Sequence, residues 1–108
     1  MTIAEILDGV GYPVCHPPYR GSESRYITYQ LIGQTGMLYA EGQEAETGVR
    51  HMITLWGSHS DVFIMLVDVK RRLETAGCSV VVDAEFYDDD ARLHRIVLDI
   101  VREGSAYL

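Results

Sequence analysis

Val49-Arg50-His51-Met52-Ile53-Thr54-Leu55-Trp56 runs directly into Gly57 and then into Ser58-His59-Ser60-Asp61-Val62-Phe63-Ile64-Met65. The apolar period changes from two to 3.6 across this junction, and the change decides the fold. In the first half, Val49, His51, Ile53 and Leu55 fall on one face and Arg50, Met52, Thr54 and Trp56 on the other, the pattern of a strand. In the second, Val62, Met65, Leu66, Val69, Leu73 and Ala76 recur at i, i+3, i+4 and i+7, the stripe of a helix. Ser58 to Asp61 is a helix start signal. Gly77 is a stop, and Lys70-Arg71-Arg72 suits the negative end of the helix dipole. Val62 to Val69 alone has the composition of a strand, but length and caps decide for a main helix at 60–76.

Working outward, the same reading extends to both ends. Cys78 to Tyr87 is a strand with Cys78, Val80, Val82, Ala84 and Phe86 directed inward. Asp88-Asp89-Asp90-Ala91 is a turn, since Asp side chains bond turn backbone. Arg92 to Arg102 alternates most cleanly, with Ile96, Leu98 and Ile100 toward the core and Arg95, Val97 and Asp99 away. Upstream, Arg25 to Leu31 is a strand and Met37 to Ala40 a second, short one. Glu41 to Gly48 reads as a loop. Thr2 to Gly9 is a short helix with Thr2 and Glu5 in a capping box. Pro13, Pro17 and Pro18 mark an extended arm. The expected fold is α+β: a mainly antiparallel four- to five-stranded sheet with the main helix packed across it and a short N-terminal helix. One domain spans 1–108, with an N-terminal helix and Pro-rich arm at 1–24 and the α+β core at 25–104.

Composition narrows the function classes. Apolar residues are 47% of the 108, too many for a disordered chain and enough for a core without staples. The net charge of −7 argues against a nucleic-acid binder, which needs a positive footprint, and against docking on anionic lipid. Cys15 and Cys78 lie far apart and form neither a disulfide framework nor a zinc knuckle, so a reduced, intracellular protein is expected. Met1 to Val10 carries Glu5 and Asp8 and lacks the basic start of a signal peptide. The longest apolar run, Val62 to Val67, falls far short of the ~20 residues that span a bilayer.

Chemistry-bearing residues are present without a chemical pattern. His16, His51, His59 and His94 lack the i, i+4 spacing of a helical metal pair, although His51 and His94 sit in strands that can meet across a sheet. Asp88 to Asp90 lacks the spaced oxygens and distal Glu of a calcium loop. Ser58 and Ser60 flank His59, but capping explains them better than catalysis. No glycine-rich phosphate loop occurs. Neither an enzyme nor a cofactor is expected. The sharper signal is apolar surface in excess. Phe63, Ile64 and Val67 extend the helix's apolar surface beyond one stripe, and Trp56 and Met52 lie opposite Ile53 and Leu55. Either these five fill a second layer within the domain or they meet another subunit.

Arg25-Tyr26-Ile27-Thr28-Tyr29, His51 to Trp56, Leu73-Glu74-Thr75-Ala76-Gly77 and Glu85-Phe86-Tyr87-Asp88-Asp89-Asp90-Ala91-Arg92-Leu93-His94-Arg95 together carry a resemblance. In that order, over about three quarters of the chain, they resemble the small tail-terminator and tail-completion proteins of long-tailed phages and prophages. The resemblance implies a ring, usually a hexamer, that caps the tail tube and joins it to the head. It implies a virion structural protein made in the bacterial cytoplasm, with tail-tube and head–tail connector proteins as partners and neither catalytic residues nor a cofactor. A negative charge suits a passage for DNA, because like charge keeps DNA from sticking. The alternative is a small α+β ligand-binding or enzymatic domain acting as a dimer, with Tyr29, His51, His94 and Asp99 as the polar groups of its cleft.

Overall fold

A computed structural model describes the backbone of residues 1–40 and 43–103 and, within these, the side chains of 1–33 and 48–102. The elements in chain order are α1 (Ile3–Ile6), β1 (Val14–Cys15), β2 (Tyr26–Ala40), β3 (Gln43–Gly57), α2 (His59–Thr75), β4 (Ser79–Asp88) and β5 (Leu93–Glu103). The strands form one sheet in the order β1-β2-β3-β5-β4. Among the described residues, only the β1–β2 pair is parallel; the other three are antiparallel. The α+β architecture expected from the sequence is the one observed.

Local signals explain where the helices start and stop. At α1 the Glu5 backbone N–H donates to Thr2 Oγ1 at 3.1 Å and the Thr2 N–H donates to Glu5 Oε1 at 3.0 Å, a complete capping box. At α2 the Asp61 N–H donates to Ser58 Oγ at 3.2 Å. Its C-terminus closes with Gly77 at φ +92°, the Cys78 N–H donating to Leu73 O at 3.0 Å and the Gly77 N–H to Glu74 O at 3.0 Å. Only glycine adopts that backbone without strain, and the two bonds satisfy carbonyls the helix leaves open.

The core lies on one face of the sheet. Ile53 and Leu55 of β3, Ile96, Leu98 and Ile100 of β5, and Ile27 of β2 point toward Val62, Met65, Val69 and Leu73 of α2 and Ile3, Ile6 and Leu7 of α1. α2 packs on β3, β5 and β4. Arg72 fastens the two helical parts together. Its Nη1 donates to Asp8 O at 2.9 Å and its Nε to Asp68 Oδ2 at 3.1 Å.

Three expectations change. Met37 to Ala40 is the continuation of β2, and residues 43–48 are the start of β3, so the expected loop is a hairpin arm; Glu41 and Gly42 lie outside the described residues. The paired backbone extends as far as Ala40↔Gln43. Polar, glycine-bearing sequence hid that pairing, because such sequence scores poorly as strand when no core selects it. The Pro-rich N-terminal segment holds a two-residue strand, β1, too short for a periodic signal. On β4, Val82, Ala84 and Phe86 are exposed, not inward. A bulge between Val82 and Ala84 carries Ala84 and Phe86 to the other face, where they pair with Val97 and Arg95.

Candidate functional site

The five residues singled out by excess hydrophobicity divide between two faces. Phe63, Ile64 and Val67 lie on the solvent side of α2, 43%, 64% and 72% exposed. They do not fill a second layer of this domain. Met52 and Trp56 lie on the opposite, helix-free face of the sheet and are half-buried. No single patch contains all five.

Trp56 belongs to a row that crosses the sheet. Tyr26 of β2, Trp56 of β3, Arg95 of β5 and Phe86 of β4 are consecutive cross-strand partners. Tyr19 stacks on Tyr26 with centroids 4.1 Å apart, and Tyr26 on Trp56 at 5.5 Å. The Arg95 guanidinium sits 5.1 Å from the Trp56 ring centre and 4.1 Å from that of Phe86, and its Nη1 is 3.7 Å from Asp88 Oδ2. The Trp56 indole N–H donates to Thr28 Oγ1 at 3.0 Å. Stacking, cation–π contact and this bond fix the face without a covering layer. Beside the row is a cavity of about 120 Å³, lined by Pro17, Thr28, Tyr29, Gln30, Met52, Thr54, Trp56 and Arg95. It is smaller than the ~300–1,000 Å³ of ordinary ligand pockets, and fits one side chain or a few atoms.

The polar groups proposed for a cleft do not converge. His51 is buried on the helix side of β3 and pairs with Ile100, whereas His94 pairs with Gly57 near the other end of that strand. Burial, with the positive charges of Arg102 and His16, holds the His51 imidazole below its usual pKa of 6.5. Asp99 is on the helix-free face in an ion pair with Arg50. Tyr29 packs at the core margin, its ring 4.4 Å from that of His16.

Another pair of histidines does meet. His59 Nε2 lies 3.9 Å from Glu85 Oε1 and His94 Nδ1 3.8 Å from Glu85 Oε2, with the two rings 5.1 Å apart. The sequence concealed this group because His59 opens α2 while Glu85 and His94 belong to different strands. Only the β4–β5 register brings them to one end of the sheet. Among the described residues, no group of three His, Cys, Asp or Glu side chains is arranged to hold a metal ion. Asp88 acts in its turn: the Ala91 N–H donates to its Oδ1 at 2.9 Å and the Arg92 N–H to its carbonyl at 2.8 Å. Cys15 and Cys78 are unpaired, and burial raises both thiol pKa values, which disfavours the reactive thiolate. Among the described residues no helix is long and apolar enough to cross a membrane.

Apolar surface is the larger feature. Besides Phe63, Ile64 and Val67, the edge strand β4 exposes Val81, Val82, Phe86 and Tyr87. The chain of ring contacts Phe63–His59–His94–Tyr87, with centres 5.1–5.3 Å apart, links the exposed face of α2 to Tyr87 of β4, while Val81 and Phe86 pair with Asp99 and Arg95 on the helix-free face. Neither a known protein-family model nor a curated protein matches the chain.

Proposed function

We propose that this chain is the protomer of a homo-oligomeric ring in the virion of a long-tailed phage or prophage, completing the tail or joining it to the head. The observation that carries assembly is the exposure of Phe63, Ile64 and Val67 on α2 next to the apolar edge strand β4. Large apolar side chains left exposed on a folded domain mark an interaction site. Its place on one side of the protomer suits a ring, because cyclic assemblies larger than dimers join two different faces head to tail. The phage setting rests on the sequence resemblance, and the net charge of −7 agrees with a passage that does not retain DNA. Tail-tube and connector proteins are then the partners above and below the ring.

The ligand-binding alternative draws no comparable support, since Tyr29, His51, His94 and Asp99 lie apart. The test of the proposed reading is a double substitution, Phe63→Asp with Val67→Asp, followed by light scattering and negative-stain imaging. The expected result is a folded monomer where the unsubstituted chain gives rings. Rings of unchanged mass in the double variant would remove the helix face from the interface.

A further inference from the structure

The sheet ends in two open edges that fit one another. Among the described residues, the β4 edge has a hydrogen-bonded neighbour on one side only, and at the opposite edge β1 pairs with β2 at Ile27 and Thr28, with His16 Nδ1 3.1 Å from the Tyr29 carbonyl just beyond. Beyond that cover β2 exposes Leu31 and Ile32, as β4 exposes Val81 and Val82. Following the pairing across the sheet, Leu31 is level with His51, Ile100 and Val80, and Val81 with Asp99, Met52 and Gln30, so Leu31 lies one residue from the level of Val81. Strand directions are also compatible. β1, β2 and β5 run one way and β3 and β4 the other. Copies set side by side in one orientation therefore present β4 antiparallel to the β1–β2 edge of the next copy, the arrangement that a simple ladder uses.

Charge agrees with this pairing. Asp89 and Asp90 follow β4, while Arg20 and Arg25 precede β2 at the same end of the sheet; all four are exposed. None of the four takes part in an ion pair among the described residues. Side-by-side copies bring acidic turn and basic arm together. Pairing β4 with its own copy across a two-fold axis does the opposite. Asp83, in the middle of Ser79–Asp88, would face its own counterpart, and like charges opposed across strands are destabilising.

We infer that the neighbouring copy docks by strand addition, β4 of one protomer against the β1–β2 edge of the next, with the helix-free face turned to the inside of the resulting barrel. This deepens the ring reading and rests on it. Closure removes both exposed edges, which a lone protomer leaves as templates for aggregation. The row from Tyr26 to Phe86 then lies on the inner wall, and Phe63 and Val67 meet the neighbour from the side of the helix layer.

The test is disulfide cross-linking on a chain with Cys15 and Cys78 replaced by alanine. Single cysteines are placed on β4 (Val81→Cys, Val82→Cys) and on β2 (Leu31→Cys, Ile32→Cys), and each sample's mass is measured before oxidation. The expected result is a cross-linked dimer in at least one mixture of a β4 and a β2 variant, a ladder up to ring size when both cysteines share a chain, and none from either variant alone. Cross-linking of the β4 variants with themselves alone would overturn the head-to-tail mode in favour of a two-fold dimer. Ring-sized mass with no β4–β2 cross-link in any pairing would overturn strand addition and leave the ring standing. Monomer mass throughout would overturn both.

Discussion

β5 and β4 are hydrogen-bonded neighbours with similar alternating sequences, yet their side chains end in opposite surroundings. Ile96, Leu98 and Ile100 of β5 are fully buried, whereas Val82 and Phe86 of β4 are 45% and 37% exposed. The difference comes from position in the sheet. β5 lies between β3 and β4 beneath α2, and β4 is an edge that the helix side protects only near Cys78 and Val80. The bulge at Asp83 then reverses the faces of the residues after it. Alternation states which residues share a face; it does not state whether anything covers that face. Where the domain itself supplies no cover, a second molecule is the natural candidate.

On the Phe63→Asp/Val67→Asp background, where assembly is not expected to contribute, β5 and β4 can be probed one residue at a time. Leu98→Ala removes a fully buried side chain beneath α2. It should cost about 2–5 kcal/mol in chemical denaturation, the usual range for such a cavity. A loss below about 1 kcal/mol would mean that β5 is not the centre of the core.

His51 gives the next effect. It is buried, its Nδ1 has no hydrogen-bond partner among the described residues, and its folded pKa lies below the unfolded 6.5. The unfolded chain therefore takes up the proton first as pH falls. Stability is fully present above about pH 6.5 and declines as pH drops toward the folded value. His51→Gln should flatten that part of the stability curve between pH 7 and pH 5, roughly the window in which an ordinary histidine titrates. An unchanged slope would show that another group sets it.

Val82→Ala should do least. On the exposed edge it is expected to change protomer stability by no more than about 0.5 kcal/mol, as surface changes do. A loss comparable to that of Leu98→Ala would show that something covers β4 even in the monomer.

Much of the fold was legible in the sequence because caps and periodicity are local. Thr2, Glu5, Ser58 and Gly77 stand where the helix ends require them, and the face assignment of β3 from Val49 to Leu55 follows directly from period two. The bulge at Asp83, the long β2–β3 hairpin and the two-residue β1 were not legible. They depend on pairing between distant segments and leave little pattern of their own. The candidate surface was half legible. Phe63, Ile64 and Val67 exceed the apolar stripe that one helix buries, and they are exposed. Trp56 and Met52 gave the same signal for a different reason: both are half-buried on the other face, where Trp56 stacks with Tyr26 and Arg95. The His59–Glu85–His94 group could not be read from spacing, because three elements contribute to it.

In the proposed ring, α2 and β4 are covered by another copy of this chain. The most direct test is the solution mass of the unsubstituted protein by light scattering, over a range of concentration and salt. The expected result is a discrete ring-sized species, a hexamer as the resemblance implies, that persists on dilution. A strict monomer at every concentration, with Phe63, Val67 and β4 still exposed, would contradict it.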